Sequence, residues 1–210
     1  MPPSARTSTP WPVIAFIALQ LALNGQRSMA AFLIVGFSSY FRPGTNMRLR
    51  RKDLIPPVAG VSTVWTMLAN ARDAGQPSKT GTFDDSVLWD DPLFAWMGKV
   101  FEVLKVGNPD LPLWPFNYIE LSRAIAKVVA KWELNFVPYQ LRHAGPAWDR
   151  LHEKRTLMDV QKRGGWRAFK SVARYEKGAR VTAEFLELPA SLRAQCLEAV
   201  DKLETVILGC

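Results

Sequence analysis

Between Trp11 and Leu23 every residue but Gln20 is apolar. A membrane span needs about 20 such residues, so this shorter run reads as a helix buried in protein. Arg6 ahead of it suggests a signal-peptide core, but no small-residue cleavage site follows at Asn24-Gly25-Gln26. A second apolar segment, Met29 to Phe41, is expected to pack against the first as a helix after the Asn24-Gly25 turn. The fold must therefore bury two adjacent apolar helices near its start, and 210 residues suffice for one domain with a sizeable core.

The rest of the chain alternates more regularly. Residues 1–10 are polar and Pro-rich and read as a disordered lead-in. Short extended segments are expected from Leu54 to Pro56, Val61 to Met67 and Phe83 to Leu88, the last two joined by turn formers between Asn70 and Gly81. Two amphipathic helices follow. The first turns Leu93, Met97, Val100, Phe101 and Leu104 inward, and the second Phe116, Ile119, Ile125, Val128, Val129 and Trp132. From Tyr139 to Arg180 short helices are expected, broken at Gly145-Pro146 and Gly164-Gly165. A last helix after Pro189 carries Leu192, Cys196, Val200, Leu203 and Ile207 on one stripe. This order predicts an α+β fold that is mostly α with a small antiparallel sheet.

The net charge of +8 is unevenly placed. Arg42, Arg48, Arg50, Arg51 and Lys52 form one basic stretch without an acidic residue. Tyr139 to Arg180 holds eleven basic residues against four acidic ones, and the remainder of the chain is net acidic. Two such patches suit a polyanionic partner. Cys196 and Cys210 are the only cysteines and His143 and His152 the only histidines. Neither pair has metal-ligand spacing or builds a disulfide framework, which points to a reducing intracellular compartment and to chemistry with no metal and no cofactor.

Breaking a phosphodiester calls for cations on the non-bridging oxygens, a nucleophile and an acid for the leaving oxygen. Arginine binds two phosphate oxygens through its planar fork, and tyrosine can hold the phosphate as an ester. The segment from Tyr139 to Arg180 resembles the C-terminal motif block of the tyrosine recombinases and phage integrases. That block has H-x-L-R-H, a Leu-Gly-His turn, and a tyrosine further on. Here Leu141-Arg142-His143 matches, with Tyr139 in the place of the leading His. Gly164-Gly165-Trp166 occupies the turn, and Tyr175 stands nine residues after Trp166, as in the family. Upstream, SYFRPGTNMRLRRKDL is similar to the family's other arginine block: Arg42 falls on its arginine, Leu49-Arg50 on its Leu-Arg pair and Asp53 on its Asp. Ser78-Lys79-Thr80 lies where the family places a catalytic lysine in a hairpin.

The resemblance implies a recombinase catalytic domain over residues 11–187, with residues 188–210 forming a C-terminal helix that docks on a neighbouring subunit. It implies that Arg42 and Arg142 clamp the scissile phosphate, Tyr175 attacks, Lys79 protonates the departing oxygen, and Tyr139 and Trp166 bond or pack at the site. Arg48, Arg50, Arg51, Lys52, Lys162, Arg163, Arg167 and Lys170 would contact double-stranded DNA, with several copies of the chain assembled on it and no membrane involved. The implied location is intracellular, with DNA. The chain departs from the family at Tyr139, Trp166 and Thr45, where His, His and Glu are usual, and the family's DNA-clamping domain would lie ahead of Arg42. Three readings stand: strand cleavage and rejoining through a 3′-phosphotyrosyl intermediate, a catalytically silent DNA-binding relic, or a small membrane-tethered protein with Trp11–Leu23 as its anchor.

Overall fold

The computed structural model describes residues 8–77, 81, 83–176 and 178–209. Helix α1 (Trp11–Leu23) is buried at every position except Gln20 and Leu23. A helix apolar on all sides must be covered on all sides. Here α2 (Arg27–Ser39) returns antiparallel to it through the Asn24-Gly25 turn, where Gly25 takes a left-handed φ of 77°. The lead-in ends earlier than expected. Thr9 and Pro10 are buried, and the Pro10 carbonyl accepts the Val13 and Ile14 N–H groups and starts α1.

After α2 comes the short α3 (Pro43–Met47), then the strands β1 (Leu54–Ile55), β2 (Thr66–Ala69) and β3 (Asp85–Leu88). They form one antiparallel sheet in the order β1-β2-β3, with Leu54 opposite Met67 and Met67 opposite Val87. Val61 was expected in a strand but is 83% exposed. Val58 and Ser62 close a tight turn around Gly60 (φ 78°), which leaves Val61 at its tip.

Helices α4 (Met97–Lys105) and α5 (Tyr118–Lys131) follow. At the start of α5 the Asn117 side chain accepts the Ile119 and Glu120 N–H groups, while Glu120 accepts the Asn117 N–H. That cap puts the first turn outside the core, so Ile119 is exposed and the buried face is Leu121, Ala124, Ile125 and Val128. Helix α6 (Leu141–Leu151) runs straight through Gly145-Pro146, where a break was expected. It is followed by α7 (Leu157–Gly164), α8 (Gly178–Leu186) and α9 (Ala190–Leu208). The chain is mostly helical with a small antiparallel sheet, as its pattern predicts.

The apolar stripe of α9 packs largely on the chain's own core. Leu192, Cys196, Leu203 and Ile207 are buried, with Ala199, in the same core as α1. Burial pushes the Cys196 thiol up to about 12. Helix α9 thus covers α1 within the chain's own core, while Val200 of the same stripe stays partly exposed. The physical reason is that α1 has no polar face and needs this fourth side covered.

Helices α2 and α6 cross at small residues, and this crossing builds the site. A Cβ on Gly36 would lie 2.9 Å from Leu141 Cδ1, and one on Gly145 would strike the Phe37 carbonyl oxygen and press to 2.8 Å on the Tyr40 ring. Gly145→Ala is therefore expected to destabilise the fold by about 3 kcal/mol. In a thermal melt this reads as a fall in Tm of roughly 6–12 °C. An unchanged Tm would mean the helices can separate at no cost.

Candidate active site

Arg142 sits in the first turn of α6, buried to 4% exposure. Its Nη1 donates to the Tyr40 carbonyl at 2.6 Å and its Nη2 to the Gly164 carbonyl at 2.7 Å. These carbonyls close the C-terminal ends of α2 and α7, where carbonyls lack helical partners and a cation is favoured. The guanidinium lies over the Trp166 ring, 4.3 Å from its centre. Both turn glycines serve this arrangement. A Cβ on Gly164 would collide with the Trp166 indole, and Gly165 takes a left-handed φ of 61° that ends α7.

Burial pushes Arg142 down to about 10, and the nearby charge of Arg42 adds to the shift. Arg142 remains a cation near neutrality. Arg42 follows the end of α2 and begins α3. The two arginines line one cavity of about 70 Å³ together with Thr45, Lys162, Arg163 and Gly165.

Tyr175 lies in a short 3₁₀ turn, Ala173–Glu176, and is only 2% exposed. Its hydroxyl is hydrogen-bonded to His143 Nδ1 at 2.8 Å. Its ring lies 5.5 Å from that of Trp166, and the Tyr139 ring meets His143 edge-on at 5.5 Å. Tyr139 and Tyr175 are also close enough to act on the Arg142 charge. Of the residues singled out for catalysis, Arg42, Tyr139, Arg142, Trp166 and Tyr175 thus fall in one cluster, and Lys79 lies outside the described residues.

His143 is the residue that sequence reasoning passed over. It stood in the Leu-Arg-His match, and it follows Tyr139 by one helical turn, which places both on one face. That spacing was the available signal. Also unforeseen is a partly buried ionic brace behind the cavity. The Tyr40 hydroxyl donates to the Asp149 carboxylate, Arg155 joins Asp149 at 3.0 Å to Asp90 at 2.5 Å, and Arg163 bonds Asp90 at 3.1 Å and the Ser38 carbonyl at 2.9 Å. Burial, reinforced by Asp149, holds the Tyr40 phenol far above its ordinary range, so it stays protonated.

The residues named for DNA contact divide by their surroundings in the fold. Arg50 is held by Asp53 at 3.1 Å and Asp73 at 2.8 Å, and Lys52 by Asp73 and Asp110 at 2.6 Å each. Arg51 donates to the Val106 carbonyl, and the Arg163 side chain is 7% exposed in the brace. These four are occupied within the fold. Arg48, Lys162, Arg167 and Lys170 are exposed.

No protein-family model, curated protein or solved structure matches the chain. Among the described residues no group of His, Cys, Asp and Glu could hold a metal ion, and no helix is long and apolar enough to cross a membrane.

Proposed function

We propose that this chain cuts and rejoins DNA strands, with Tyr175 as the nucleophile. The observation that carries the reading is the Tyr175 hydroxyl, bonded to an imidazole and packed beside a buried arginine that shares a cavity with a second. In this mechanism Arg42 and Arg142 neutralise the non-bridging oxygens of the scissile phosphate. His143 accepts the phenolic proton as the Tyr175 oxygen bonds to phosphorus. The bond from phosphorus to the 5′-oxygen breaks, and Lys79 supplies a proton to that oxygen. The 3′-phosphotyrosyl ester conserves the bond, so the reverse steps rejoin the strand. His143 takes the work of the histidine that Tyr139 replaces, and Trp166 holds Arg142 and Tyr175 in register. The proposed partner is double-stranded DNA carrying more than one copy of the chain, which places the protein with DNA in the cell.

The burial of Tyr175 favours a second reading, a DNA-binding module that does not cleave. A nucleophile only 2% exposed reaches a phosphate only if the turn Ala173–Glu176 moves outward. A nicked suicide duplex separates the two readings, because cleavage traps a covalent adduct that survives denaturing electrophoresis. An adduct supports cleavage; duplex binding with no adduct supports the silent module. Binding itself is expected to be salt-sensitive in either case. If Arg42, Arg48, Lys162, Arg167 and Lys170 each neutralise a phosphate, the plot of log K against log salt has a slope of roughly −4.5. A slope near zero would remove phosphate contacts from the reading altogether.

A further inference from the structure

Beside the arginine cavity, on the other side of Arg42 and Thr45, lies an open groove of about 780 Å³. Arg42, Arg48, Tyr118 and Tyr139 line it, with Pro43 and Met47. Tyr118 is 43% and Tyr139 40% exposed, which is unusual for large rings in a chain that buries most of its aromatic residues. Among the described residues no carboxylate lines the groove. Two arginines without an acid select a polyanion. Two exposed rings select a ligand with accessible flat faces.

A duplex offers its bases only at their edges, whereas an unpaired base offers its whole face for stacking on tyrosine. Because Arg42 and Thr45 line both the cavity and the groove, a strand whose phosphate is held by Arg42 brings its next nucleotide into the groove. We infer that this groove holds an unpaired nucleotide flanking the cleaved phosphate, stacked on Tyr118 and Tyr139 with Arg48 on its backbone. The inference rests on reading Arg42 as a phosphate ligand. The substrate is then a duplex with a melted or overhanging base at the cleavage point, rather than fully paired DNA.

The test measures binding alone, so that it stands apart from cleavage. The anisotropy of a labelled single-stranded deoxy-octamer is followed as the full chain is titrated in, and the experiment is repeated with a blunt duplex of the same sequence. Tyr118→Ala is expected to weaken the single strand by roughly 5- to 150-fold and the duplex by less than about twofold. Tyr118→Phe, which keeps the ring, should bind both probes as the natural chain does. Arg48→Ala should weaken both, since it removes a phosphate contact. Equal losses on the two probes with Tyr118→Ala would overturn the inference, as would a Tyr118→Phe variant as weak as Tyr118→Ala. Displacement of the octamer by a proline-rich peptide would assign the groove to a peptide instead and would also overturn it. Failure of the adduct assay alongside a strand-selective loss in Tyr118→Ala would sink cleavage and leave the groove standing.

Discussion

Tyr175→Phe should abolish covalent capture of a suicide duplex while changing salt-sensitive binding by less than about twofold. The substitution removes one oxygen and leaves the ring packed against Trp166, 5.5 Å away. It also removes the hydrogen bond to His143, so the fold should lose about 1 kcal/mol, well short of unfolding. The other tyrosines differ in their capacity to replace it. Tyr40 is buried with its hydroxyl on Asp149 and its phenol held protonated. Tyr118 and Tyr139 are exposed in the groove beside Arg42. An adduct that survives Tyr175→Phe would therefore point to one of those two, and its loss on Tyr139→Phe or Tyr118→Phe would say which. The measurement is a denaturing gel of labelled DNA, with a urea melt of each variant to verify folding.

Arg142→Ala should damage fold, binding and chemistry together. At neutral pH this guanidinium is charged both in the folded chain and in the unfolded one. Its depressed pKa of about 10 therefore records a burial cost borne by the native state. The Tyr40 and Gly164 carbonyls and the Trp166 face offset that cost. Removing the side chain leaves two buried carbonyls without their donors and empties the space above the indole. The expected loss is about 3 kcal/mol of stability. Adduct formation should fall by a further factor of about 10²–10³ if the group stabilises the transition state. Arg142→Lys separates the two roles, because it keeps the charge but cannot reach both carbonyls and a phosphate. Stability close to that of the natural chain in Arg142→Ala would refute the clamp between α2 and α7. Unaltered adduct formation in a folded Arg142→Lys variant would refute the role at phosphate.

Local pattern was sufficient for most of the helices and for the presence of the sheet. The run from Trp11 to Leu23 announced α1, because continuous apolarity leaves no alternative to burial. The stripe from Leu192 to Ile207 announced α9, and Gly164-Gly165 announced the end of α7. Pro146 misled, since a proline usually interrupts a helix. Yet α6 continues through it, held against α2 across Gly36 and Gly145. Ile119 misled for a similar reason: its periodicity was inward, but the Asn117 cap set the start of α5 outside the core.

What the sequence determined by itself, then, is what neighbours along the chain decide: an apolar helical pair, a small antiparallel sheet, two basic stretches, and the spacing of Arg142, Trp166 and Tyr175. What only the tertiary structure decided is which of these groups meet. Arg50, Lys52 and Arg163 count as equal charges in the sequence, but Asp73, Asp110 and Asp90 reach them from far along the chain and engage them. The stripe of α9 finds its partner in α1, nearly the whole chain away. His143 became a candidate only when its ring nitrogen lay 2.8 Å from the Tyr175 hydroxyl. Periodicity and spacing are carried by local backbone geometry, whereas ion pairs, covered faces and hydrogen bonds between distant residues depend on how the helices cross. Here that crossing was set by two glycines, Gly36 and Gly145, whose only contribution is the absence of a side chain.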